Sequence, residues 1–300
     1  MKNTPILKIV DFLNARAREN QWGFVDFNRP MVAINQWEQA ADSMYTLCGK
    51  DRIHPSTDGH LVMAYLFLKA QGLAGKPVAD IRIDGAGKKV TRSDNCRVSD
   101  LSISSDNLTF TYEAKSLPYP IDTSYYDNEK HTQADALSVI PFMDEMNYEG
   151  LSVSGLSDGY YGLTIGGEFI GRFTARELER GINMALLQNT PQYKQAMKIR
   201  QMNEERWLKE RKMREFYWVE YNLMRKTGML WACDEAAVDT LRKYRPHDIF
   251  LQWNGDLWLQ YMHKGIREDC VNEQQDLVDR IYEQNKPIPL RIEIKKFTDL

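Results

Sequence analysis

Asp51 and His54, three residues apart, are the pair in this 300-residue sequence whose types and spacing could best do chemistry. They stand in the loop Asp51-Arg52-Ile53-His54-Pro55-Ser56-Thr57-Asp58-Gly59-His60. A carboxylate this near an imidazole can hold one ring nitrogen and stabilise the imidazolium. The other nitrogen is then free to take a proton from a nucleophile, which is the acid–base half of serine ester hydrolysis. Pro55 stiffens the chain immediately after the base. The same spacing also occurs by chance in loops without chemistry, so its setting carries weight: the loop opens a helix with Ser56, Thr57 or Asp58 as cap.

Other reactive side chains read more plainly as structure. Cys48 lies three residues before Asp51, where a thiolate could face an imidazolium, but a buried free thiol at a helix end explains it better. His131, His247 and His263 have no acidic or histidine neighbours at ligand spacing, so neither a metal site nor a cofactor is implied. His60 reads as a first-turn structural residue. Trp207, Phe216, Tyr217, Trp218 and Tyr221 could stack on sugar rings, yet aromatics at helical spacing are more often core. Tyr119, Tyr125 and Tyr126 are better placed as exposed platforms.

Three regions must position the loop. In residues 1–76 a helix begins at Asn3-Thr4-Pro5, with Ile6, Val10, Leu13 and Ala17 on one face. Gly23–Phe27 is an apolar run with the look of a buried strand. A second helical stretch holds Met31, Ile34, Trp37, Ala41 and Met44, and a third helix runs from Gly59 to about Gln71. This is the tail of a doubly wound α/β domain, but its one strand has no neighbours before it in the chain. Residues 77–184 form a β-rich module. Its strands are Val78–Ile83, Val98–Ile103, Leu108–Glu113, Leu151–Val153, Tyr161–Ile165 and Glu168–Phe173, with a hairpin at Gly166-Gly167. Phe169 is expected beside Leu163 and Ile165, and the module is expected to fold alone. A long insertion spans 117–148. Residues 185–300 form a mainly helical tail, with a first helix from Thr190-Pro191 to about Thr227 and a terminal strand at Leu290, Ile292 and Ile294. Eight of fourteen residues in Gln201–Arg214 are charged, which marks a solvated helix face.

At the histidine loop the sequence resembles the SGNH (GDSL-type) serine hydrolases, whose last block is Asp-x-x-His-Pro before a closing helix. The resemblance implies that Asp51 is the triad acid and His54 the base, and that Gly59 and His60 begin the closing helix. It covers Met1 to about Gly72 as the C-terminal half of the hydrolase domain. More loosely it extends to about Gln195, as a β appendage of bacterial type carried by Leu151–Val153, Tyr161–Ile165, Gly171–Phe173 and Gly181–Asn183. It implies ester hydrolysis, with an acylated carbohydrate as the substrate and no cofactor. The family's Gly-Asp-Ser block and its oxyanion residues are absent; the only Gly-Asp is Gly255-Asp256, followed by Leu257. A separate or upstream segment would have to supply the serine, and the chain alone is expected to be inactive. The rival reading is a non-catalytic binding protein derived from such a hydrolase.

Composition agrees with a folded protein: 43% hydrophobic and 27% charged residues. A formal charge of −3 argues against a nucleic-acid binder. The four cysteines have no C-x-x-C spacing. No apolar run reaches the roughly 20 residues of a membrane helix. The first residues carry no secretory leader, which leaves the compartment open because a front half would hold any signal.

Overall fold

The computed structural model describes residues 4–105, 107–124 and 131–297; Asn3, Tyr125 and Tyr126 lie outside them. By contacts the chain divides into two compact units, residues 1–193 with 288–300, and residues 194–287.

The first unit opens with α1 (Thr4–Asn20), α2 (Asn28–Glu38) and α3 (Thr57–Ala70). Gly23–Phe27 is not a strand. It runs between α1 and α2 without regular structure, because a strand is made by its ladder and among the described residues none is offered here. The second helix also ends earlier than its pattern suggested, at Glu38, and turns lead on through Ala41 and Met44. Helix α3 carries the packing: Leu61, Val62 and Tyr65 are buried on one side of it.

The body is a sandwich of two sheets. Its first four strands are β1 (Ala79–Asp84), β2 (Lys89–Asp94), β3 (Cys96–Ile103) and β4 (Asn107–Ala114). After the short helix α4 (Phe142–Glu145) come β5 (Glu149–Ser154), β6 (Tyr160–Ile165) and β7 (Glu168–Thr174). Helix α5 (Ala175–Arg180), β8 (Ile182–Asn183) and β9 (Leu290–Lys296) complete the set. One sheet has the order β2-β1-β5-β8, with β1 and β5 parallel. The other is antiparallel, in the order β3-β4-β9-β6-β7. Alternating residues point inward from both sheets: Ile81, Ile83, Leu151 and Val153 meet Leu108, Phe110, Leu163, Ile165, Ile292 and Ile294 in one core.

Two expectations change here. The terminal strand β9 does not belong with the helical tail. It lies between β4 and β6, so residues 77–184 lack their central strand and are not self-contained. Phe169 does not join Leu163 and Ile165. A bulge between Leu163 and Thr164 puts Phe169 opposite Thr164, on the outer face, where it meets Phe297 edge-on. Ile170 fills the core instead. The hairpin turn itself is as read: Gly166 and Gly167 have φ of +59° and +86°.

The long insertion is not a loose loop. Ile121, Ala136, Ile140, Phe142 and Met143 from it pack against Leu47, Leu61, Val62 and Tyr65, forming a second core. Glu145 accepts from the Tyr65 hydroxyl at 2.7 Å and pairs with Lys69 at 2.8 Å. The insertion therefore braces the helix that follows the histidine loop.

Helix α6 (Pro191–Val219) starts in the first unit, continues as a π-helical turn at Glu220–Met224, and stops near Gly228, whose φ is +76°. With α7 (Glu235–Tyr244), α8 (Ile249–Tyr261) and α9 (Lys264–Gln284) it builds the helical unit around Phe216, Val219, Leu241 and Trp258.

Candidate active site

The histidine loop is a closed turn tied to the start of α3. Cys48 pairs with Pro55 as an isolated antiparallel bridge. The Ser56 N–H donates to Leu47 O at 3.1 Å, and the Gly49 N–H donates to His54 O at 2.8 Å. Inside the turn the Arg52 N–H reaches Gly49 O at 2.9 Å, with Arg52 itself at a φ of +57°. The turn thus brings residues 51 and 54 onto one side.

Asp51 organises the tip. Its Oδ1 accepts from the backbone N–H of Ile53 at 2.9 Å and of His54 at 3.1 Å, while Oδ2 lies 2.5 Å from His54 Nδ1. The hydrogen bond from the imidazole, then those two backbone donors, hold the Asp51 carboxyl down at about 2, so it is an anion at neutral pH. The His54 ring is 83% exposed. Among the described residues no hydroxyl hydrogen-bonds its remaining nitrogen. Such a pair can orient an imidazole as a base and stabilise its charged form, and none of the described residues hydrogen-bonds to it as a nucleophile.

Gly59 explains the position of a glycine in this block. A Cβ there would come 2.0 Å from the carbonyl oxygen of Leu47, so only glycine lets α3 begin against the segment that leads into the loop. Next to it, Asp58 is buried and accepts from the Ser56 hydroxyl and from the Gly59 N–H at 2.8 Å. His131, from the insertion, approaches with Nδ1 3.7 Å from Asp58 Oδ2. The Tyr45 ring stands edge-on to His131, and its hydroxyl is pushed up to about 12 by burial and then by the Asp58 charge. Sequence reading treated Asp58 as a cap and His131 as isolated. Only the docked insertion joins them.

The remaining candidates separate. Burial first and the Asp51 charge second raise the Cys48 thiol above its ordinary value, which keeps it protonated and a poor nucleophile. His60 is exposed in the first turn of α3. His247 lines a cavity of about 360 Å³ with Trp218, Lys226 and Tyr244, within the helical unit. Phe216 is core, whereas Trp207, Tyr217 and Tyr221 are exposed. Among the described residues no three His, Cys, Asp or Glu side chains converge to hold a metal, and no helix is long and apolar enough to cross a membrane.

The elements together define a mixed α/β protein with a two-sheet body and a helical C-terminal unit. Residues 197–286 match the family model of the diltiazem deacetylase C-terminal helical domain. Over 98% of its length the chain superposes on the solved structure of a gut microbial diltiazem-metabolizing enzyme, with a TM-score of 0.92 and 42% identity. It spans 67% of that protein's chain. No curated protein matches it significantly. The chain belongs to the family of that diltiazem-metabolizing enzyme, a hydrolase-related family.

Proposed function

We propose that this chain is the acid–base portion of an SGNH-type ester hydrolase, with Asp51 as triad acid and His54 as general base. The observation that carries the reading is the 2.5 Å contact from His54 Nδ1 to an anionic Asp51, with the opposite edge of the ring left open. In this reading residues 1–76 are the C-terminal half of the hydrolase domain, the two-sheet body completed by β9 is its β appendage, and residues 194–287 are the helical tail. A segment outside these 300 residues supplies the serine and the oxyanion donors. The serine hydroxyl gives its proton to His54 as it attacks the acyl carbonyl, and His54 returns that proton to the leaving alcohol. Water then repeats the cycle on the acyl-enzyme. An O-acetyl group is the leading substrate, in keeping with the deacetylase named in the matching family model. The alcohol we assign to it is a carbohydrate.

The test is hydrolysis of p-nitrophenyl acetate by the chain alone, and by the chain co-produced with the part of the diltiazem-metabolizing relative that has no counterpart here. Alone, the chain should match its H54A variant. In the complemented form activity should appear, and H54A should remove it by about three orders of magnitude or more. Turnover by the chain alone that survives H54A would sink the assignment. A binding protein descended from such an enzyme is the second reading, favoured by the absence of a hydroxyl at His54 among the described residues. It predicts no turnover in either form.

A further inference from the structure

Helix α6 carries a stripe of aromatic and basic side chains along one side of the helical unit. Trp207, Arg211, Arg214 and Trp218 recur at i, i+4, i+7 and i+11, the spacing that puts side chains on one helix face. Trp207 is exposed, and the Arg214 guanidinium lies 5.6 Å from the centre of its ring. Trp218 ends the stripe, its ring 5.2 Å from that of Phe250 in α8. Two cavities meet at Trp218, both built within residues 194–287. One, of about 360 Å³, is lined by Trp218 and Tyr244 and by the buried Leu223 and Leu251, with Asn222, Lys226 and His247 beside them. The other, of about 340 Å³, is lined by Trp207, Arg211, Arg214 and Asn254 as well as Trp218. The π-helical turn at Glu220–Met224 supplies Asn222 and Leu223 to the first, and such turns occur often at functional sites.

We propose that this groove binds a carboxylate-bearing oligosaccharide, with one acidic sugar ring in each cavity. Both cavities repeat the same three chemistries: an aromatic wall for a ring, an asparagine amide for hydroxyls and a cation for a carboxylate. Repetition on either side of a shared indole fits a chain of like units better than one compact molecule. Lys226 makes no ion pair among the described residues, so its charge is open to a ligand. Asp248, the acid at that cavity, accepts at Oδ1 from the N–H groups of Phe250 and Leu251 and caps α8. In the second cavity Arg211 pairs with Glu215 at 2.7 Å, and Arg214 stands 3.6 Å from Glu210. A half-neutralised field of this kind suits a chain of carboxylates, whereas a nucleic acid needs an unopposed basic track. An acidic peptide would answer the cations and leave the aromatic walls without sugar rings to face. The groove draws no residue from the histidine loop, so binding here does not depend on ester hydrolysis at His54.

The full chain is titrated by calorimetry with tetrasaccharides of galacturonate, mannuronate and hyaluronan, with the methyl ester of whichever binds, and with a poly-glutamate peptide. At least one acidic tetrasaccharide should bind with a Kd below about 1 mM, and its methyl ester at least tenfold more weakly. Trp218→Ala should abolish binding. Because that ring also packs on the helical core, the double variant K226Q/R214Q provides the second reading: both residues are exposed, so thermal unfolding should stay unchanged while binding weakens at least tenfold. H54A should bind as the parent does. No binding by any of the three tetrasaccharides, binding that survives K226Q/R214Q, a methyl ester that binds equally well, or tighter binding of poly-glutamate would each overturn the site. Loss of binding in H54A would place the sugar at the histidine loop and overturn it too.

Discussion

Asp51 and Glu149 show how the same functional group takes opposite roles according to what surrounds it. Asp51 sits in an exposed turn with the His54 ring and two N–H donors on it, and stays ionised far into acid. Glu149 has no exposed surface and is pushed up to about 7 by burial, against the opposing hydrogen bonds from Tyr112 at 2.8 Å and Gln192 at 3.2 Å. Among the described residues its Oε2 has no partner, nor has Oε1 of Gln192, the side chain bonded to it. A proton on Glu149 removes the charge that burial penalises. The consequence for stability follows from linkage. In the unfolded chain a glutamate titrates near 4.3, so between about 4.3 and 7 the folded form holds a proton that the unfolded form has lost. Stability from this group is therefore complete below about 4.3 and falls as pH rises through about 7. Glu149→Gln, which keeps shape and carries no charge at any pH, should raise stability at pH 8 by on the order of 2 kcal/mol and leave it nearly unchanged at pH 4. Urea unfolding of both forms at the two pH values measures this. A variant less stable at pH 8 would mean that the carboxylate is not strained there.

At the scale of elements, β9 is the strand on which the larger sheet depends. It comes from the far end of the sequence, after the helical unit, and it lies between the β3–β4 and β6–β7 hairpins, pairing with β4 on one side and β6 on the other. Ile292 is fully buried between Phe110 and Ile165, its partners on the flanking strands. Ile292→Ala should cost about 2–5 kcal/mol, the usual range for truncating a packed isoleucine. Residues 77–184 expressed alone should show no cooperative thermal transition by circular dichroism, since they retain both hairpins and not the strand between them. A sharp transition in that fragment would show that the sheet can close without β9.

At the scale of the whole molecule, residues 1–193 with 288–300 and residues 194–287 carry separate cores. The helical unit's core includes a buried acid of its own. Glu220, in the π-helical turn, accepts from the Trp258 indole N–H at 2.8 Å and from the Trp231 backbone N–H at 2.9 Å. Trp258→Phe would leave one carboxylate oxygen buried and unpaired, at a cost of about 1–3 kcal/mol, in addition to lost packing. Scanning calorimetry should resolve two transitions, with Trp258→Phe lowering one and leaving the other within about a degree. Equal lowering of both would show that the units unfold as one.

Local chemistry was legible from residue order: the acid–histidine turn, the Gly166-Gly167 hairpin, the helices and the strand pattern. Each is set by neighbours within a few positions, through side-chain alternation, caps and positive φ. The misread elements depended on distant partners. Gly23–Phe27 has the residues of a strand and, among the described residues, no ladder to join. Phe169 was turned outward by a bulge. β9 was drawn into the middle of a sheet begun nearly two hundred residues earlier, and His131 was carried to Asp58 by an insertion that packs on α3. Propensity is a property of a short stretch of chain, whereas a ladder, a buried acid or a covered helix face exists only when another segment has arrived. Tertiary structure alone could decide those.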